Sequence, residues 1–171
     1  MTQLTILEYP NERLHIVASP VKSVNQEIRE LVKNMAETMY SASGIGLAAT
    51  QVDVHKRVIT IDISSSRNDL LVLINPQLLS ANGKHLESEG CLSVPGVFED
   101  VMRAKQIVVR ALNEDGKEFE MEAEGLLSVC IQHEIDHLDG KVFIEYLSRL
   151  KRERIKKKLK KRKQLSDHSK R

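Results

Sequence analysis

The chain has 171 residues, 41% hydrophobic and 29% charged, with a formal net charge of +2. That length predicts one domain burying about 70% of its unfolded surface, and two cysteines, Cys91 and Cys130, are too few for a disulfide scaffold. No apolar run reaches the ~18 residues of a membrane span, and no basic leader precedes an apolar stretch, so neither a secretory nor an organellar signal is expected and the setting expected is reducing and cytoplasmic.

The first predicted helix covers residues 25–43, where Ile28, Leu31, Val32, Met35 and Met39 recur at helical spacing. Ser23 and Gln26 read as its capping box and Gly44 as its stop. Next comes Gly44-Ile45-Gly46-Leu47-Ala48-Ala49-Thr50-Gln51. It lacks the Lys-Ser/Thr of a phosphate loop and follows a helix rather than a strand. Small residues that admit a ligand to the backbone, ending in an amide donor, suit an active-site wall; without the two motifs further along the chain, a tight helix-to-strand connection would be the preferred reading. Strands are predicted over 57–63 and 70–74, the second ended by Asn75-Pro76. Residues 106–112 and 117–123 flank Asn113-Glu114-Asp115-Gly116 and predict a hairpin. A helix from Gly125 to Gly140 is expected to carry Leu126, Val129, Cys130, His133 and His137 on one side. Beyond it, Ile144, Leu147, Leu150, Ile155 and Leu159 punctuate a basic helical stretch, with residues 166–171 expected to fray. Strands between terminal helices predict an α+β fold. Two regions are expected, a body over 1–148 and a basic helical extension over 149–171.

The strongest chemical signal is Gln132-His133-Glu134-Ile135-Asp136-His137, an H-E-x-x-H pattern. Residues four apart on a helix lie about 5–6 Å from each other on one face. Two imidazoles so placed can grip one divalent metal, and Glu134 can move the proton of a water held there. A catalytic site of this kind needs a third protein ligand. The extended H-E-x-x-H-x-x-G-x-x-H pattern would put it at position 143, which is Phe143. Glu145 and Glu153 are too near for the pattern that uses a downstream glutamate. Cys91, in Glu89-Gly90-Cys91-Leu92-Ser93, is the best remaining candidate, because a thiolate is a strong ligand and glycine lets the backbone come close. Glu89 and Arg103 are expected to pair and brace this loop, whereas Asp136 is expected to be solvated.

Together, G-I-G-L-A-A-T-Q, E-G-C-L-S and Q-H-E-I-D-H resemble the three signature motifs of the peptide deformylases, in that family's order and separations. The resemblance runs from Ile6-Leu7-Glu8-Tyr9-Pro10 to about Leu150. It implies small antiparallel or mixed β-sheets packed around a central metal-binding helix, with an N-terminal helix and a basic C-terminal helix. It also implies a cytoplasmic metallohydrolase that removes the formyl group from the initiator methionine of nascent polypeptides. By the resemblance, Cys91, His133 and His137 hold the metal and Glu134 is the acid/base. Gln51 and the backbone N–H of Leu92 stabilise the oxyanion. Ile45, Gly46, Leu126, Val129 and Cys130 wall the methionine pocket. The implied metal is Fe2+, with Zn2+, Ni2+ or Co2+ expected in isolated protein. Phe98 departs from the family, many of whose bacterial members have arginine there.

The net charge hides an asymmetry. Residues 149–171 hold 13 of the 26 basic residues against two acids, a net +11, which leaves the body at −9. Within them, positions 156–163 carry seven cations in eight. Such a segment is either a solvated helix or a foot for a polyanion; the resemblance implies ribosome docking. A membrane surface is not expected, since aromatics are absent from its apolar face. A monomer is expected. Two other functions stay open on the residues: a zinc metallopeptidase, which shares H-E-x-x-H, and a non-catalytic ribosome- or RNA-binding protein, which explains the tail and leaves the three motifs without a purpose.

Overall fold

The computed structural model describes residues 2–170. The first helix, α1 (Gln26–Ser41), turns Ile28, Val32, Met35 and Met39 inward. Its cap is the Asn25 side chain, which accepts from the Ile28 N–H, rather than the expected box on Ser23. Seven strands follow: β1 (Gly46–Ala48), β2 (Val58–Ile61), β3 (Leu71–Asn82), β4 (His85–Cys91), β5 (Val94–Arg103), β6 (Gln106–Leu112) and β7 (Glu118–Glu124). Then come α2 (Gly125–Leu138) and α3 (Arg149–His168). The expected α+β class is observed.

Strands β1-β2-β3-β6-β7 form one sheet in that order, and β4-β5 form a separate ribbon; all pairings are antiparallel. Pro76 does not end its strand. β3 continues to Asn82 because the register with β6 breaks between Ile74 and Gln77, so the missing proline N–H falls where no ladder bond is required. The β4–β5 ribbon was not legible in the sequence, since its exposed and buried positions mix charge and apolar residues without clean alternation.

α2 lies between the two sheets. Ile131, Ile135 and Leu138 pack against Ile59, Ile61, Leu73, Ile107 and Val109 of the large sheet. The other side of α2 presents His133, Glu134 and His137, all buried. α1 covers a second cluster with Leu47, Val58, Val72 and Ile74. The basic segment is not free of the body: Ile155 and Leu159 of α3 are buried with Val94, Val97, Val101 and Phe143. The expected fraying is not seen through His168, where α3 ends, and Arg171 lies outside the described residues. No helix among the described residues is long and apolar enough to cross a membrane.

Candidate metal centre

Three sequence-distant donors meet at one point. β4 ends at Cys91, and a register shift between Glu89 and Cys91 turns the ribbon there; such bulges re-aim side chains beside functional sites. α2 supplies His133 and His137, one turn apart. Cys91 Sγ lies 3.2 Å from His137 Nε2, and the two Nε2 atoms lie 3.3 Å apart. All three donor atoms fall within 4.8 Å of one another, the one such cluster of three among the described residues.

The donor set fits a divalent metal. A tetrahedral centre with metal–nitrogen bonds near 2.1 Å and a metal–sulfur bond near 2.3 Å has edges of about 3.4–3.6 Å, within a few tenths of an ångström of the two separations observed. The tautomer fits as well. His133 Nδ1 lies 2.7 Å from Glu89 Oε1, and a carboxylate can only accept, so Nδ1 carries a proton and Nε2 is the ring nitrogen turned to the other two donors. One oxygen of Glu134, Oε2, is buried with no hydrogen-bond partner, as is His137 Nδ1.

Burial and neighbours set the charges. Burial opposes a charge on His133, but Cys91 and Glu89 outweigh it and push the imidazole well above its ordinary range. Burial, and then the charge of His133, push His137 well below it. Burial lifts Glu134 to about 7, against the pull of His133; a carboxyl there can both take and give a proton. Burial also drives the Cys130 thiol up to about 12, so it stays a neutral wall.

Glu134 sits under the β1 backbone. A Cβ on Gly46 would stand 2.6 Å from Glu134 Oε1, so only glycine leaves room for the carboxylate. A Cβ on Gly90 would meet the Phe98 ring at 2.5 Å, a contact that this exposed side chain can relieve by turning. Both glycines line a cleft of about 500 Å3 together with Cys91, Leu92, His133 and Glu134. The five expected pocket residues, Ile45, Gly46, Leu126, Val129 and Cys130, line it too. They are not equivalent, since Val129 and Cys130 are buried while Ile45 and Leu126 are exposed at the rim. Gln51 is buried beside them, its Nε2 3.6 Å from Cys91 Sγ.

The bracing pair is present and larger than expected. Arg103 donates to both oxygens of Glu89, at 2.7 and 2.9 Å, and to Asp136 at 2.5 Å. Tyr146 also donates to Asp136, at 2.8 Å, and its ring lies under the Arg103 guanidinium at 5.3 Å. Asp136 is therefore not solvated. It lies in the last turn of α2, facing Arg103, and a buried guanidinium needs more than one acceptor. Tyr146 carried no signal in the sequence that could have found it. Phe143, the residue at the extended protease position, packs its ring 6.0 Å from that of His133.

The comparisons with known proteins agree with one another. The family model described as polypeptide deformylase matches residues 3–153. The chain is 63% identical over 161 residues to peptide deformylase 2 of Nitrosomonas europaea, covering 94% of this chain and 87% of that one. It is 60% identical over 162 residues to peptide deformylase 1 of Burkholderia multivorans, covering 94% and 90%. The crystal structure of a peptide deformylase from Legionella pneumophila superposes with a TM-score of 0.94 at 44% identity, covering 97% of this chain and 98% of that one. Cleft, donor cluster, fold and relatives together show that the chain belongs to the polypeptide deformylase family.

Proposed function

We propose that the chain hydrolyses the formyl amide of N-formylmethionyl peptides and releases formate. The observation that carries this reading is the placement of Cys91, His133 and His137 within 4.8 Å of one another, against Glu134 on the wall of the cleft. Cys91, His133 and His137 would hold the metal, proposed as Fe2+, with Zn2+, Ni2+ or Co2+ able to take the same donors in isolated protein. When bound, such an ion supplies Lewis acidity to the water and the formyl group.

The chain's own residues do the rest. Glu134 takes the proton of the attacking water and delivers it to the leaving amine. The Gln51 side-chain amide and the Leu92 N–H donate to the formyl oxygen as charge develops on it. Val129 and Cys130 bound the unbranched methionine chain, with Ile45, Gly46 and Leu126 at the mouth. Phe98, 72% exposed at the rim, meets the peptide beyond methionine. The metallopeptidase reading has no support at position 143, where Phe143 is 1% exposed and part of the core.

The enzyme is proposed to work as a cytoplasmic monomer on nascent chains. Residues 149–171 are proposed as a ribosome-docking extension of the catalytic region 1–148. Supporting this, α3 turns Ile155 and Leu159 to the body and leaves Lys156, Lys157, Lys160, Lys161 and Lys163 exposed. The catalytic reading is tested by formate release from formyl-Met-Ala-Ser with anaerobically purified, iron-loaded protein. Wild type should release formate and Glu134→Ala should not. Undiminished release by Glu134→Ala, or none by wild type, overturns it.

A further inference from the structure

The side chain of Gln51 is held at both ends of its amide. Its Oε1 accepts the Ala48 N–H at 2.9 Å. That N–H can only donate, which settles which end of the amide is oxygen. One hinge does not fix an amide plane, because the last torsion of glutamine is broad and nearly two-fold. The second contact is Nε2 to Ser93 Oγ, at 3.1 Å. With one N–H committed there, the other is left on the Cys91 side, where Sγ lies 3.6 Å away. Ser93 is fully buried and Gln51 is 1% exposed, so water does not compete for this bond.

The serine itself is fixed through its backbone. Its N–H lies 3.4 Å from Cys91 Sγ, and its carbonyl accepts from the Tyr9 N–H at 2.8 Å. The same N-terminal segment bonds Gln51, whose carbonyl accepts from the Leu7 N–H at 2.7 Å. Two parts of the chain 42 positions apart are thereby clamped in one register by a third.

We propose that Ser93 is a positioning residue for the reaction: its hydroxyl sets the plane of the Gln51 amide so that the second N–H, which reaches Cys91 Sγ in the structure, is placed to donate to the formyl oxygen. The inference rests on the reading of Gln51 as an oxyanion donor. Ser93→Ala removes only the hydroxyl and keeps both backbone contacts, so the cysteine loop should hold.

The test is a double-mutant cycle of Ser93→Ala and Gln51→Ala in the iron-loaded full chain, with formyl-Met-Ala-Ser, joined to NMR of the Gln51 side-chain amide. Loss of an oxyanion donor costs about 10²–10³ in kcat, expected for Gln51→Ala. Ser93→Ala should lower kcat by about 10-fold or more with KM within about two-fold, since a donor that acts only in the transition state leaves KM alone. In the Gln51→Ala background it should add less than about two-fold. One Gln51 side-chain proton should exchange slowly in wild type and quickly in Ser93→Ala, and the absorption of Co2+-loaded protein should not change. Full additivity, a raised KM at unchanged kcat, or equal exchange in both proteins would overturn the inference alone. Wild-type kcat in Gln51→Ala would overturn the reading of Gln51 and this inference with it. The wild-type exchange rate tests the bond even if a variant fails to fold.

Discussion

Replacing Arg103 with alanine isolates the support behind His133. Arg103 makes three charge-assisted bonds, two to Glu89 and one to Asp136, with side chains only 6%, 4% and 16% exposed respectively. Truncation leaves Glu89 buried with His133 as its one remaining partner. Breaking a buried ion pair from one side costs about 3–5 kcal/mol. Part of that falls on the fold and part on the metal, because Glu89 fixes the proton on His133 Nδ1. Losing support of this kind weakens metal affinity about 10–100-fold, which is about 1.4–2.7 kcal/mol. The assay has two arms: competition for Co2+ against a chromophoric chelator, and urea unfolding of the metal-free chain. Arg110→Ala is the control, since its pair with Glu120 is exposed on both sides and should change neither. Arg103→Ala with wild-type metal affinity would refute the reasoning, whatever its stability.

Four further outcomes are expected. Gly46→Ala puts a methyl 2.6 Å from Glu134 Oε1 and should shift the carboxylate; misplacement near 1 Å costs about 100-fold in rate, measured as kcat on a variant whose circular dichroism matches wild type. Asp62 accepts from Tyr40, from Ser64 twice and from the Asp69 N–H, and these donors overcome burial to hold its carboxyl at about 2. Its folded pKa lies below the ordinary ~3.9, so its stabilisation is complete above that value and is lost as pH falls towards 2; the urea midpoint of Asp62→Asn should trail wild type at pH 6 and converge with it near pH 2. Leu159→Ala should lower stability by about 2–3 kcal/mol, because α3 is anchored through this side chain, whereas neutralising Lys160, Lys161 and Lys163 should spare short-peptide turnover and weaken co-sedimentation with ribosomes, with a shallower salt dependence.

What the sequence made legible follows from the range of each interaction. The i, i+4 spacing of His133 and His137 is local, so a helix alone places them together. The third donor was legible from chemistry rather than geometry: Phe143 cannot bind a metal and a thiolate beside a glycine can. The charge asymmetry was visible by counting, yet counting could not show that Ile155 and Leu159 seat the basic helix in the core. Non-local geometry was the general gap. The β4–β5 ribbon pairs residues whose alternation is broken by Gly90, Pro95 and Gly96. Pro76 reads locally as a strand end, and only the break in pairing with β6 lets the strand pass it. Asp136 and Tyr146 belong to Arg103 through a contact that no spacing in the chain announces.

Cys91, His133 and His137 are proposed to hold the ion on which the hydrolysis depends. Titrating Fe2+ without oxygen into the metal-free chain, while following formate release from formyl-Met-Ala-Ser, tests it most directly. The rate should rise in proportion to added iron and level off at one ion per chain, and the Cys91→Ala chain should stay near zero throughout. A full rate before iron is added, or an unchanged titration in Cys91→Ala, would contradict the account.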